Sequence, residues 1–223
     1  MATKETKKMS ADTPTSLGAS IRNGALSLGV FAIVTATAIS LTYVAGSDAI
    51  AANKAAAKAR ALEAVMSPAL YDQSLLASPI TLAHADQLDV VEHSLGYAAI
   101  KNHVAQGIVL PVVAKDGYSG DISMLVGLSR DGVIQGVRVL EHKETPGLGD
   151  KVERKKSAWI DGFIGHSLTN TTTDEWAVTK DGGLFDGFTG ATITPRAVVS
   201  AVHKSLRYHE QQQSSFYPNT QAD

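Results

Sequence analysis

The stretch D-G-F-T-G-A-T-I-T-P, residues 186–195, predicts a glycine-rich turn that leads straight into a helix. Thr194 is a good N-cap residue, and Pro195 suits the first helical position because its missing N–H would be unpaired there in any case. Apolar residues then follow at roughly helical spacing: Ala197, Val198, Ala201, Val202 and Leu206. The sequence therefore places the start of a helix immediately after this turn.

The start of such a helix is a place where an anion can bind. Its first backbone N–H groups are unpaired, and the helix dipole is positive at this end. Gly187 and Gly190 would let the backbone approach a phosphate without a Cβ clash. Three alcohols, Thr189, Thr192 and Thr194, could equally well bear a modification, and the same pattern also suits an ordinary structural turn.

Composition limits the class of protein. The chain has 223 residues, a net charge of −2 and 44% hydrophobic residues, which suffices for a membrane segment and one domain with a core. This charge gives no reason to expect nucleic acid as a partner. The sequence has no cysteine, which excludes disulfides, iron–sulfur ligation and thiolate zinc sites. Any redox chemistry must therefore come from a bound cofactor.

Residues 23–47 carry no charge and predict a transmembrane helix. The mostly apolar part, residues 24–44, would be roughly 31 Å long as a helix, enough for a bilayer core of about 30 Å. A cleaved signal peptide is the competing interpretation, because Ala49-Ile50-Ala51 has the A-x-A pattern, but the apolar core of a signal is only about 7–15 residues long. We therefore expect a retained anchor, preceded by a polar, disordered tail at residues 1–22.

The remainder of the chain predicts one α+β domain on a helical stalk. Residues 48–68 are alanine-rich and favour a helix that ends at Ser67-Pro68. The domain is assigned to residues 69–208, and a polar, frayed tail to residues 209–223.

Strand patterns appear in the middle of that domain. The apolar run 108–114 predicts a buried strand, and the alternating segments 122–129 and 133–141 predict a hairpin. The dipeptide Asp131-Gly132 between them is typical of a primed turn. A second, shorter hairpin is expected at residues 176–183.

The loop Thr145-Pro146-Gly147-Leu148-Gly149 is stiffened by proline and opened by two glycines, so its amides could approach a flat ligand. Asp150 could instead cap a helix that continues to Ile164. The helical spacing of four apolar residues favours that helix: Val152, Trp159, Ile160 and Phe163.

Several motifs together resemble a known family. D-G-F-T-G-A-T, residues 186–192, resembles the flavinylation motif of proteins that carry FMN through a phosphoester bond to threonine. Four longer segments resemble the G subunit of the Rnf-type electron transport complex: G-Y-S-G-D-I (117–122), E-H-K-E-T-P-G-L-G-D-K-V-E (141–153), W-A-V-T-K-D-G-G (176–183) and T-G-A-T-I-T-P-R-A-V-V (189–199). The chain is less similar to the C subunit of the sodium-pumping quinone reductase, which shares the flavin motif.

The resemblance implies a cofactor and its site. It implies FMN bound covalently through a phosphoester to Thr192, attached by a dedicated flavin transferase that moves FMN from FAD. His142 lies beside the loop in the sequence, either as a structural or solvent histidine or as a proton donor to a reduced flavin. The resemblance also places two groups of residues near the flavin: Asp186, Gly187, Thr189, Gly190, Ala191 and Thr194 of the motif, and Glu144, Thr145, Gly147, Leu148 and Gly149 of the loop.

The resemblance also implies a function and a location. The chain would be an electron-carrying subunit of a redox-driven ion translocase, not an independent catalyst, with other membrane subunits and the lipid bilayer as partners. The positive charges before and after the span are nearly balanced, four against three. The resemblance decides the orientation: a single pass through a bacterial inner membrane, with the N-terminus cytoplasmic and the domain periplasmic. The alternative is an anchored extracytoplasmic binding or assembly module without a cofactor.

Overall fold

The structure, a computed structural model, describes residues 17–217. It divides into two units, Met1–Lys54 and Ala55–Asp223. Helix α1 runs without interruption over Leu17–Glu63, and its segment Ile21–Ser47 is long and apolar enough to cross a membrane. The helix thus begins six residues before the predicted start at residue 23. Most of the predicted tail, residues 1–16, lies outside the described residues.

The second unit is built on an antiparallel sheet of five strands. The strands are β1 (Pro79–Thr81), β2 (Leu95–Lys101), β3 (Val104–Ala114), β4 (Ile122–Ser129) and β5 (Ile134–Glu141). They lie in chain order, each hydrogen-bonded to the next. A second long helix, α2 (Ile193–Phe216), packs on this sheet. The α+β prediction and the predicted hairpin between β4 and β5 are therefore confirmed.

The hairpin turn differs from its prediction. Only Gly132 has a positive φ, +75°, whereas a primed turn of the Asp-Gly type requires positive φ at both central residues. The N–H of Gly132 donates to the carbonyl of Ser129, and the N–H of Ser129 donates to the carbonyl of Val133. The glycine at the left-handed position closes a three-residue loop, so β5 begins at Ile134.

The core lies between one face of the sheet and helix α2. Alternation along β3 and β4 directs every second side chain to this face, where they pack with the apolar side of the helix. Burial of each large side chain contributes roughly 1.5–3 kcal/mol relative to its exposure. The central members of this core are Ile108, Leu110, Ile122, Met124, Val126 and Leu128 from the sheet and Val198, Val202 and Leu206 from the helix.

Two local predictions are wrong. The segment 150–164 is not one helix but two short 3-10 helices, Asp150–Val152 and Trp159–Phe163. The reason is that Asp150 accepts a hydrogen bond from the N–H of Gly147 instead of capping a helix, and Glu153 is extended. The hairpin expected at residues 176–183 is also absent, because Val178 and Phe185 form a single parallel bridge.

The C-terminal prediction also needs correction. Helix α2 continues to Phe216, well past the expected domain end at residue 208. His209, Phe216 and Tyr217 are buried, and burial lowers the pKa of His209 to about 4. The prediction of a frayed tail is therefore wrong for residues 209–217. It failed because the polar run 210–215 obscures the apolar residues at the end of the helix. Residues 218–223 lie outside the described residues.

A smaller apolar cluster covers the opposite face of the sheet. Leu62 and Val65, at and just after the end of α1, pack there against Tyr97 and Leu125. The backbone of Val65 passes over two glycines that face each other in register, Gly127 of β4 and Gly136 of β5. A Cβ added at Gly127 would lie 1.9 Å from the Val65 carbonyl oxygen. The glycine pair therefore makes room for this segment.

We predict that Gly127→Ala lowers the free energy of unfolding by about 3 kcal/mol, because the new methyl group overlaps backbone that cannot move away cheaply. Denaturant unfolding followed by tryptophan fluorescence measures the change. Gly162→Ala is the control, since nothing lies within 4 Å of its added Cβ. That variant should differ from the parent protein by less than about 0.5 kcal/mol. Equal midpoints for both variants would contradict the close packing of Val65 on the sheet.

Candidate functional site

The motif residues form a tight turn before helix α2. The N–H of Ala191 donates to the carbonyl of Phe188 at 3.1 Å, which closes a four-residue turn. Gly190 occupies the third position of this turn with φ +82°, a conformation that L side chains rarely adopt. A Cβ at Gly190 would meet only Leu148 at 3.7 Å, an ordinary contact. Glycine is therefore needed here for its backbone conformation and not for space.

Helix α2 begins at Ile193, so the prediction of Thr194 as N-cap is wrong. The N-cap is Thr192, and its side chain makes no capping hydrogen bond. Its backbone lies in the αR region, with φ −77° and ψ −25°, and not in the extended conformation of most N-caps. Pro195 still lies in the first turn, where its missing N–H costs nothing. The Thr192 hydroxyl is therefore left uncommitted by the helix.

Thr194 has a different role from the predicted one. It is fully buried, and its hydroxyl donates to Oε2 of Glu144. Glu144 is itself only 4% exposed, and its Oε1 accepts from the N–H of Ser119 at 2.9 Å. One buried carboxylate therefore joins three segments: the loop that contains Ser119, the loop that begins at Glu144, and the first turn of α2.

The packing around this carboxylate leaves no spare room. A Cβ added at Gly149 would lie 2.9 Å from Glu144 Oε2 and 2.9 Å from Thr194 Oγ1. A Cβ at Gly117 would lie 2.1 Å from the carbonyl oxygen of Gly120 and 3.1 Å from Glu144 Oε1. Both glycines thus permit the close approach of the segments that Glu144 connects.

The loop after Glu144 folds back on itself. The N–H groups of Leu148 and Gly149 donate to the carbonyl of Thr145 at 3.1 and 3.0 Å. The N–H of Gly147 donates to Oδ1 of Asp150 at 2.8 Å. These bonds hold the loop in a compact shape, with the side chain of Leu148 43% exposed.

A cavity of about 330 Å³ lies between this loop and the start of α2. Eight of the predicted site residues line it: Glu144, Thr145, Leu148, Gly149, Gly190, Ala191, Thr192 and Thr194. The other four, Gly147, Asp186, Gly187 and Thr189, do not. The structure therefore brings together the two motifs, residues 144–149 and residues 186–195, that the sequence connected only through resemblance.

Two lining residues were not predicted, Tyr118 and Ile193. Tyr118 belongs to the segment G-Y-S-G-D-I, which carries part of the family resemblance but was not expected to line the site. Its side chain is 68% exposed, and that of Ile193 is 46% exposed. A large aromatic side chain next to a conspicuous glycine turn was the available signal for Tyr118.

Aromatic side chains pack against the glycine-rich turn that contains Thr192. The indole N–H of Trp159 donates to the carbonyl of Asp186 at 2.7 Å, and the Trp159 ring meets the edge of Phe188 at 4.9 Å between centroids. Phe188 is buried, so the turn is anchored on the core at its first residue. Asp186 and Thr189 are exposed and lie outside the cavity.

Charges near the helix start are balanced by an ion pair. Arg196 in the first turn would oppose the helix dipole, but it forms a two-pronged ion pair with Asp181. The hydrogen bond from Arg196 lowers the pKa of the Asp181 carboxyl below its usual value. The first turn itself contains no acidic residue. The nearby anion that the structure shows is the Glu144 carboxylate, which binds the side chain of Thr194 and not the backbone N–H groups of the first turn.

His142 does not face the cavity. Its Nδ1 accepts from the N–H of Glu144 at 3.0 Å, and its Nε2 lies 2.8 Å from Oε1 of Glu153. Its side chain is 9% exposed. Both ring nitrogens are thus occupied, which favours the structural role over that of a proton donor.

Comparison with known proteins adds independent information. Residues 117–207 match the model of the FMN-binding domain family, and residues 9–65 match that of the RnfG N-terminal region. The first match begins at the Gly117 loop and contains the whole cavity lining. The solved structure of Shewanella oneidensis NqrC is similar over 69% of this chain and 71% of that one, with 22% identity and a TM-score of 0.45.

Curated relatives match over most of their length. The chain is 41% identical over 197 residues to the G subunit of the ion-translocating oxidoreductase complex of Vibrio cholerae serotype O1, covering 88% of this chain and 94% of that protein. It is 44% identical over 191 residues to the protein of the same name from Pseudomonas aeruginosa, covering 86% and 89%. The chain therefore belongs to the family of G subunits of ion-translocating oxidoreductase complexes.

Proposed function

We propose that this protein is an electron-carrying flavoprotein subunit of a membrane-bound, ion-translocating oxidoreductase complex, and that it carries FMN covalently on Thr192. It is not an independent catalyst in this account. The observation that carries the proposal is the position of Thr192. Its hydroxyl makes no capping bond, it lines the cavity, and it lies at the N-terminus of a helix of 24 residues.

The residues around Thr192 suit a phosphate ester. Among the described residues, the backbone N–H groups of Ile193 and Thr194 have no backbone partner. Unpaired N–H groups and the positive dipole end favour a phosphate held at this point. Thr194 is fully buried and bonded to Glu144, so it is a poor substrate for modification. Thr189 is exposed but lies outside the cavity.

The rest of the cavity suits a flat, largely apolar ring. Leu148, Ile193 and Tyr118 border it and keep between 43% and 68% of their surface exposed. Large exposed apolar side chains around one cavity are typical of a ligand site. FMN, when bound, supplies the electron-transfer chemistry that a chain without cysteine lacks. The protein contributes a rigid frame that positions the cofactor, through Glu144 and the first turn of α2.

Attachment requires a second protein. In the proposed reaction, the Thr192 hydroxyl oxygen forms a bond to the FMN phosphorus of FAD, the phosphoanhydride bond breaks and AMP leaves. The proton of the hydroxyl is lost to solvent. A flavin transferase catalyses this step. A covalent bond suits an exported site, because a dissociable cofactor would be lost by diffusion.

The proposed location rests on the candidate membrane span and on the family. We infer a single pass through a bacterial inner membrane by the segment Ile21–Ser47, with the N-terminus in the cytoplasm and the flavin domain in the periplasm. The partners are the other membrane subunits of the complex and the lipid bilayer. Relatives named as subunits of such a complex support this assignment.

We predict that Thr192→Ala abolishes covalent flavin, because it removes the alcohol that lies both at the cavity and at the N-terminus of α2 and makes no capping bond. The full chain is coexpressed with a flavin transferase, extracted from the membrane and analysed by intact mass and by in-gel fluorescence. Thr189→Ala is the matched control, and it should retain the flavin. A flavin on the Thr192→Ala protein, or a parent protein without flavin from a competent host, would contradict the proposal; the second result favours the cofactor-free module.

A second prediction concerns the hydroxyl of Thr194. Thr194→Val keeps the volume of the side chain but removes the donor to the buried Glu144 carboxylate. It should therefore destabilise the domain by about 1.5–3 kcal/mol and reduce flavin loading. Thr194→Ser keeps the hydroxyl and should load flavin as the parent protein does. Thermal unfolding and the flavin-to-protein absorbance ratio measure the two effects. Full loading of Thr194→Val at parental stability would show that Glu144 does not position the site.

A further inference from the structure

The imidazole of His142 is held in one tautomer. The backbone N–H of Glu144 can only donate, so Nδ1 of His142 must carry the lone pair that accepts this bond at 3.0 Å. The proton of the neutral ring is then on Nε2, where it donates to Oε1 of Glu153 at 2.8 Å. The ring thus fixes the backbone of Glu144 only while it is neutral.

Protonation would remove this acceptor. In the imidazolium form both ring nitrogens carry hydrogen, and Nδ1–H would point at the N–H of Glu144. Two donors cannot form a hydrogen bond, so the ring or the backbone would have to move. Glu144 is 4% exposed, which leaves its amide without water as a replacement partner.

We propose that His142 is a positioning residue for the loop at residues 144–149. It holds the backbone of Glu144 through a hydrogen bond that exists only with a neutral ring. The connection of this loop to the flavin rests on the function proposed above. The side chain of Glu144 accepts from Ser119 and Thr194. Its backbone is attached to His142. Release of the backbone therefore loosens the residue that aligns the loop with the start of α2.

Several charged groups surround the ring. Glu153 is bonded to Nε2, and three cationic side chains lie in the same groove: Arg138, Arg154 and Lys155. Arg154 is neutralised by its ion pair with Asp161. The titratable and charged groups that face or flank His142 are Arg138 and Glu141 from β5, Lys143 and Glu144 from the loop, and Glu153, Arg154 and Lys155 from the segment after the first 3-10 helix.

Two substitutions distinguish the role of Nδ1 from that of Nε2. His142→Asn places an amide oxygen near the position of Nδ1 and keeps the acceptor for Glu144, but it does not titrate. His142→Gln reaches the position of Nε2 and keeps a donor for Glu153, but it offers no acceptor to Glu144. Both are uncharged and polar, so they form a matched pair.

The test is amide hydrogen exchange at Glu144 in the full chain, compared between the parent protein and the two variants at one pH. We expect the parent protein to match His142→Asn, because both offer an acceptor to the N–H of Glu144. His142→Gln should lose about tenfold in protection, the factor for one hydrogen bond.

Flavin incorporation gives a second readout. The initial rate of labelling by the transferase should be near that of the parent protein for His142→Asn and several-fold lower for His142→Gln. A parent protein without flavin would refute the proposed function, while hydrogen exchange would still decide the role of His142. Equal protection of Glu144 in the two variants would overturn the inference. Equal labelling rates in the two variants would contradict the connection between His142 and the flavin site.

Discussion

The carboxylate of Glu144 is the interaction on which the site depends. It is buried, and it accepts hydrogen bonds from Ser119 and from Thr194, so two loops and the first turn of α2 meet at one side chain. A buried carboxylate is costly unless its oxygens are satisfied, and here each oxygen has a donor. The same requirement that stabilises the charge therefore fixes the relative positions of the segments that form the cavity.

The sheet and helix provide a rigid support for this junction. Helix α2 packs on one face of β3 and β4, and three residues at its start line the cavity: Thr192, Ile193 and Thr194. Thr194 is bonded to Glu144, whereas Thr192 lines the cavity and its hydroxyl does not cap the helix. A redox carrier needs its cofactor at a constant distance from its neighbours, and the covalent attachment that we propose, at the end of a packed helix, would suit that need.

Local patterns in the sequence predicted much of the frame. Alternation along β4 and β5 gave the hairpin, and the spacing of Val198, Val202 and Leu206 gave helix α2. What failed was decided by contacts between distant residues. Thr194 was predicted as the N-cap of α2, but its hydroxyl donates to Glu144, fifty residues earlier in the chain. Asp150 resembled a cap and instead binds Gly147, and the glutamines before Phe216 concealed a packed helix end. Helix and strand propensities and hydrophobic periodicity are local properties, so they do not predict contacts between residues that are distant in the sequence.

The position of the flavin phosphate on native protein tests the account most directly. Trypsin should release residues 181–196 as one peptide, since Lys180 precedes it and Arg196 ends it, and this peptide contains Thr189, Thr192 and Thr194. Fragment-ion mass spectrometry of protein isolated from its own membranes can distinguish the three alcohols. The account predicts the flavin phosphate on Thr192 alone. A flavin phosphate on Thr189 or Thr194, or an unmodified peptide from a fully assembled complex, would contradict it.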